Sequence, residues 1–172
     1  MLTLRPMTED DLPNVADWLL QVHVARWWTS TTTPEEVISL YQLRVEGLDR
    51  RTKMLICSED GEDVGWCQWY LWKDYPEESS ARDARNGEIG IDYVIGLPTN
   101  TGRGIGTALV ATLVEHLRCT HPQAGILADP EEGNEPSRRV LEKNGFSLIE
   151  VRGIVTEVGN PRRALYRLSS AR

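Results

Sequence analysis

The run Thr101-Gly102-Arg103-Gly104-Ile105-Gly106-Thr107 gathers three glycines at the expected start of a helix. Glycine lets a backbone approach a ligand closely, and the unpaired amides of a helix N-terminus carry partial positive charge, so this run suits a phosphate or pyrophosphate. It is not the dinucleotide fingerprint G-x-G-x-x-G. Counted from Gly102 the third glycine position holds Thr107, and counted from Gly104 it holds Leu109. No G-x-x-x-x-G-K-[ST] can be written either, so the P-loop reading also falls. A second group is acidic: Asp74, Glu77 and Glu78, then Asp129, Glu131, Glu132 and Glu135 with no base between them. Carboxylates so grouped match a ligand with several ammonium groups, and Trp27, Trp28, Trp66 and Trp72 offer flat faces for sugar rings or cations. Each of these residues also has an ordinary structural use, a charge run as a solvated face and a tryptophan as core.

The rest of the composition bounds the chemistry. The cysteines Cys57, Cys67 and Cys119 are odd in number and far apart, with no C-x-x-C and no histidine at zinc-ligand spacing, so reduced, mostly buried thiols and no metal are expected. A net charge of −7 disfavours nucleic acid and anionic membranes as partners and favours cationic ones. Met1 to Pro6 leads into Glu9, Asp10 and Asp11 rather than a basic run and an apolar core, and no stretch approaches the length of a membrane span, so a cytoplasmic protein is expected. A length of 172 residues suits one domain, 1–172.

The elements that must position these residues follow from periodicity. Leu2 to Arg5 predicts a strand; Thr8 and Asp11 form a capping box ahead of a helix with Leu12, Val15, Ala16 and Leu19 on one face. A second helix starts at Thr33-Pro34-Glu35-Glu36 and ends near Gly47. Lys53–Ser58 and Val64–Trp72 predict a hairpin turned by Asp60-Gly61, with Trp66, Gln68, Tyr70 and Trp72 along one face. Lys73 to Gly87 reads as one long loop. Then come a strand at 88–95, the glycine turn, a helix at 105–118, a short strand at 126–128, and a helix at 135–143 closed by Asn144-Gly145. Strands at 146–156 and 163–168 complete a mixed sheet covered by helices.

Gly102-Arg103-Gly104-Ile105-Gly106-Thr107-Ala108-Leu109 resembles the acetyl-coenzyme A loop of the GCN5-related N-acetyltransferase (GNAT) superfamily, and Asn134 with Glu142-Lys143-Asn144-Gly145-Phe146 resembles the segment that follows it. Thr3-Leu4-Arg5, Met7 to Leu12, Trp18-Leu19, His23-Val24, Trp27-Trp28, Gly90-Ile91-Asp92 and Asp129-Pro130 are similar to the aminoglycoside 6'-N-acetyltransferase branch, over residues 3–150. Two positions depart from the pattern: Thr101 stands where Gln or Arg is usual, and Leu141 stands where many relatives carry a Tyr near the leaving thiolate.

The resemblance implies an α/β (α+β) GNAT fold, with a central mixed, mostly antiparallel sheet flanked by helices. It implies acetyl-CoA as cosubstrate, held by Tyr93, Val94, Ile95, Arg103, Gly104, Ile105, Gly106, Thr107, Asn134, Ser137 and Lys143. A backbone N–H of the Tyr93–Ile95 segment would meet the developing oxyanion. An amine of lysine-like pKa must lose a proton before it attacks a thioester, and Asp92 is the expected base or orienting carboxylate. Trp28, Glu77, Asp92 and Asp129 would bind a cationic aminoglycoside, with no covalent enzyme intermediate and with the protein a monomer or homodimer. Acetylation of another amine or hydroxylamine (a siderophore precursor, polyamine or protein N-terminus) and a non-catalytic CoA-binding module are the alternatives.

Overall fold

In the computed structural model, which describes residues 1–28, 33–155 and 159–170, one seven-stranded sheet runs through the molecule in the order β1-β2-β3-β4-β5-β7-β6. Its strands are β1 (Leu2–Pro6), β2 (Thr52–Glu59), β3 (Glu62–Leu71), β4 (Ile89–Ile95), β5 (Ile126–Ala128), β6 (Ser147–Gly153) and β7 (Arg162–Leu168). Every neighbouring pair is antiparallel except β4 with β5. The β2–β3 hairpin turns where expected, at Asp60 and Gly61, both with positive φ.

The helices are α1 (Leu12–Leu19), α2 (Val22–Ala25), α3 (Pro34–Val45), α4 (Pro76–Ala81), α5 (Ile105–Thr120) and α6 (Glu135–Lys143). The capping boxes at Thr8 and Thr33 form, the second through Glu36 N–H to Thr33 Oγ1 at 3.3 Å and Thr33 N–H to Glu36 Oε2 at 3.1 Å. Two expectations need correction. The segment 73–87 is not one loop: a 3-10 turn at Trp72–Asp74 passes into α4, which starts at Pro76, where a missing N–H is harmless, and carries Glu77 and Glu78 in its first turn. The sixth strand is shorter than 146–156, spanning Ser147–Gly153, while Thr156 lies outside the described residues.

Period-two alternation divides the core between the two faces of the sheet. Met54, Ile56, Trp66 and Val94 pack on one face against Val15, Leu19, Val37 and Tyr41 of α1 and α3. Leu55, Cys67, Ile89 and Ile91 pack on the other against Leu109, Leu113 and Leu117 of α5 and Leu141 of α6. Asp92, even-numbered like Val94, therefore shares the α3 face, and Tyr93 and Ile95 share the α5 and α6 face. That parity sorts the site residues of β4.

Candidate active site

The parallel partners β4 and β5 stay together for only two registered pairs, Ile89 with Ile126 and Gly90 with Leu127, and then part. The phase of the β3–β4 ladder is set by its flanking bonds, Trp72 N–H to Glu88 O at 3.1 Å and Gly96 N–H to Val64 O at 2.9 Å. Residues 90, 92 and 94 thus turn their backbone groups toward β3, whereas Tyr93 and Ile95 turn theirs toward the gap that β5 has left. The Ile95 carbonyl bears this out, accepting a 2.9 Å hydrogen bond from His23 Nε2 on α2. A cavity of about 580 Å³ fills the gap.

One wall is the glycine loop. Gly102 and Gly104 take positive φ of 73° and 86°, and Gly104 is the residue before α5, where the first bond within the helix turn runs from Ala108 N–H to Gly104 O. The amides of Ile105, Gly106 and Thr107 precede that bond and lack helical partners, at the mouth of a sixteen-residue helix. Asn100, Thr101, Gly102, Gly104, Gly106 and Thr107 line the cavity, whereas the expected contacts Arg103 and Ile105 do not do so with their side chains. Arg103 turns out to Asn100 Oδ1 at 3.1 Å and toward Glu59, and Ile105 is buried among the α5 core. Ile105 is left with its amide alone.

The opposite wall is α6. Asn134 caps it, accepting from Ser137 N–H at 3.2 Å, and Ser137 Oγ lies 2.7 Å from Tyr93 OH, which also reaches Ser137 O at 3.1 Å. Burial pushes the Tyr93 phenol above its ordinary range, so it stays a neutral hydroxyl. Asn134, Ser137, Arg139, Leu141 and Lys143 all line the cavity; Arg138 instead donates to Tyr166 OH and the Glu132 carbonyl. Leu141 brings no proton donor to this wall.

The third wall carries the carboxylates. Asp92 accepts from Gln68 Nε2 at 2.8 Å, across the registered Gln68–Asp92 pair of β3 and β4. Burial pushes its carboxyl above the ordinary carboxylate range, and the Gln68 hydrogen bond opposes that rise. Asp129, one residue past β5, is held by Arg82 Nε at 2.8 Å, and its carbonyl accepts from Arg163 Nη1 at 3.3 Å. Trp28 closes this side, with its indole N–H on Tyr41 OH at 3.2 Å and its ring edge-on to Trp66. Asp92, Asp129 and Trp28 thus meet at one cavity, while Glu77 is exposed on α4 and does not line it.

Gln68, Arg82, Arg163 and His23 also stand around the site, though residue type and spacing assign none of them to it. Gln68 is legible as a member of the β3 face, and the β3–β4 register places it beside Asp92. Arg82 has no such signal, because it follows α4 inside a segment whose composition predicts a loop. Among the described residues, no group of three or more His, Cys, Asp or Glu side chains is placed to hold a metal ion.

Residues 7–152 match the family described as acetyltransferase (GNAT) domain. The chain is 32% identical over 163 residues to the aminoglycoside N(6')-acetyltransferases type 1 of Klebsiella pneumoniae and Serratia marcescens, covering 93% of this chain and 79% of each relative. The solved aminoglycoside acetyltransferase AAC(6')-Ib in complex with coenzyme A is similar at a TM-score of 0.79 and 28% identity, over 98% of this chain and 95% of that one. The same enzyme with coenzyme A and kanamycin gives the same values. With the split sheet, the glycine-ended α5 and these matches together, the chain belongs to the GNAT acetyltransferase family.

Proposed function

We propose that this protein transfers an acetyl group from acetyl-CoA to the 6'-amine of aminoglycoside antibiotics, by direct transfer in a ternary complex, and so confers resistance. One observation carries the reading: the glycine-ended α5, Asp92, Asp129 and Trp28 line a single cavity where β4 and β5 part. The named relatives act on aminoglycosides at that amine, and a solved relative holds coenzyme A and kanamycin together.

The residues present fit the cosubstrate. Positive-φ glycines and partnerless amides at the start of α5 suit its pyrophosphate, Asn134, Ser137, Arg139 and Lys143 face the same channel, and the gap between β4 and β5 exposes backbone donors. Acetyl-CoA supplies an activated acyl group when bound. Tyr93 and Ile95 direct N–H groups at the gap, where they suit an acyl oxygen that gains negative charge. Asp92 takes up the proton that the substrate's ammonium group must lose before the free amine can attack, and its raised pKa brings it closer to the operating range of a base. Asp129 and Trp28 hold the cationic sugar, and the exposed Glu77 acts on it at longer range. We place this activity in the cytoplasm, in keeping with three free cysteines and the acidic composition. No helix among the described residues is long and apolar enough to cross a membrane.

The test is thiol release from acetyl-CoA with a panel of kanamycin, tobramycin, a polyamine, a hydroxylamine and a peptide. Turnover confined to drugs with a free 6'-amine is expected. Preference for the polyamine, hydroxylamine or peptide would replace the substrate, and coenzyme binding without turnover on any acceptor would leave a binding module.

A further inference from the structure

Gln68 is an amide buried to 7% exposure beside a carboxylate, and an amide can face that carboxylate with either of two opposite ends. Its NH2 group donates to Asp92 Oδ2 at 2.8 Å, and its Oε1 accepts from Arg44 Nη1 at 3.1 Å. Arg44 belongs to the last turn of α3 and lines the outer face of that helix, away from the catalytic cavity. Its guanidinium also lies 5.5 Å over the ring of Tyr41, the residue that holds the Trp28 indole. Guanidinium, amide and carboxylate therefore form one directed chain from the surface of α3 to the centre of the cavity.

We infer that Arg44 is a positioning residue for acetyl transfer, acting on Asp92 through Gln68: it fixes the amide so that a donor, never an acceptor, faces Asp92. An arginine has donors and no acceptor, so Gln68 can satisfy it with Oε1 alone, and the NH2 group is then committed to Asp92. Without Arg44 the amide is free to turn, and an Oε1 facing Asp92 disfavours the ionised carboxylate. The inference rests on the reading of Asp92 as the base.

The other groups around Asp92 do not duplicate this function. Asp129 faces it from the end of β5 and raises its proton affinity, while Arg82 beyond α4 and Arg163 of β7 lower it. Both arginines donate to Asp129, at its carboxylate and carbonyl respectively. Tyr70 of β3, Tyr41 of α3 and Tyr93 of β4 are phenols that burial pushes above their ordinary range, so they stay neutral while Asp92 titrates. Among the described residues, the one side chain that donates to the Asp92 carboxylate is Gln68.

The experiment is a double-mutant cycle of Arg44→Met and Gln68→Leu, read by the pH profile of thiol release with saturating acetyl-CoA and kanamycin. Arg44→Met is expected to lower kcat about tenfold and to move the acid limb of kcat upward by about one pH unit, with the KM for acetyl-CoA within about twofold of wild type. Arg44→Lys, which keeps a donor, is expected to restore most of the loss. The double variant should have the same acid limb as Gln68→Leu alone, because the hydrogen-bonded path from Arg44 to Asp92 runs through Gln68, while the Tyr41 contact leads to Trp28 and is read as the KM for kanamycin. An unmoved acid limb in Arg44→Met, or additive shifts of the acid limb in the double variant, overturns the inference. If Arg44→Met does not fold by circular dichroism, Arg44→Gln is put through the same cycle; its shorter side chain falls short of Gln68. Asp92→Asn separates the two failures. Full turnover in that variant rejects Asp92 as the base, whereas its loss alongside a normal Arg44→Met profile rejects the role of Arg44 alone.

Discussion

Arg82 Nε stands 2.8 Å from Asp129 Oδ2, with both side chains about one-tenth exposed, and this pair ties the end of α4 to the end of β5. The same guanidinium lies 5.2 Å over the Trp72 ring. At that burial, removing one partner leaves an uncompensated charge. Arg82→Met is therefore expected to cost about 3 kcal/mol, and Arg82→Met with Asp129→Asn to recover part of it. Urea midpoints at constant m-value measure both; equal midpoints for wild type and Arg82→Met would show the pair to contribute nothing.

Asp92→Asn should separate function from stability. The folded protein holds the Asp92 proton more tightly than the unfolded chain does, so ionising the group opposes folding. That penalty is absent below the unfolded carboxylate pKa, grows through the window up to the folded pKa, and is complete above it. Asp92→Asn is expected to melt a few degrees higher than wild type at neutral pH, to match it in acid, and to lose turnover. A lower Tm at neutral pH would contradict the burial argument.

Asp11 titrates in the opposite sense. Two hydrogen bonds from Arg5, both at 2.8 Å, with further donors on Thr8, hold its carboxyl down at about 2. The stabilisation is present above the ordinary carboxylate pKa and is lost as pH falls toward 2. Arg5 is 41% exposed, so solvent screening limits the pair to about 1 kcal/mol. Acid-unfolding curves should show a shallower loss of stability below pH about 4 for Asp11→Asn than for wild type.

Glu77 and Glu78 stand exposed in the first turn of α4. Replacing both by Gln is expected to raise the KM for kanamycin a few-fold, with kcat unchanged, and the effect should fade as salt is added. A loss confined to kcat would place them in the chemistry instead.

Gly104 has open space where a Cβ would go, but its φ is +86°, so Gly104→Ala is strained by conformation alone. The expected cost is about 1 kcal/mol in stability. Because the same backbone angle aims the first amides of α5 at the cavity, KM for acetyl-CoA should rise too. Unchanged KM would remove the loop from coenzyme binding.

Local signals in the sequence carried the elements whose hydrogen bonds close within a few residues. The Thr33-Pro34-Glu35-Glu36 cap, the Asp60-Gly61 turn and the α5 stripe of Ile105, Leu109, Leu113 and Leu117 are of that kind. The glycine loop reads from residue type and spacing, whereas Asp92 enters through the resemblance of Gly90-Ile91-Asp92, and both line the same cavity. What stayed hidden depends on distant partners. Arg82 meets Asp129 across 47 positions and His23 meets Ile95 across 72, and periodicity holds no record of such pairings. Arg103 shows the converse: a basic residue inside the right motif that the turn directs outward to Glu59.

The two registered pairs between β4 and β5 make β4 a cantilever, clamped on both sides up to Gly90 and on one side beyond it. Asp92 sits just past the clamp, and Ile95 sits at the tip. The imidazole of His23 props that tip through the Ile95 carbonyl. One short overhang of strand thus serves both walls, presenting a carboxylate on its α3 face and, along the edge that β5 has left, backbone groups that run to the glycine loop.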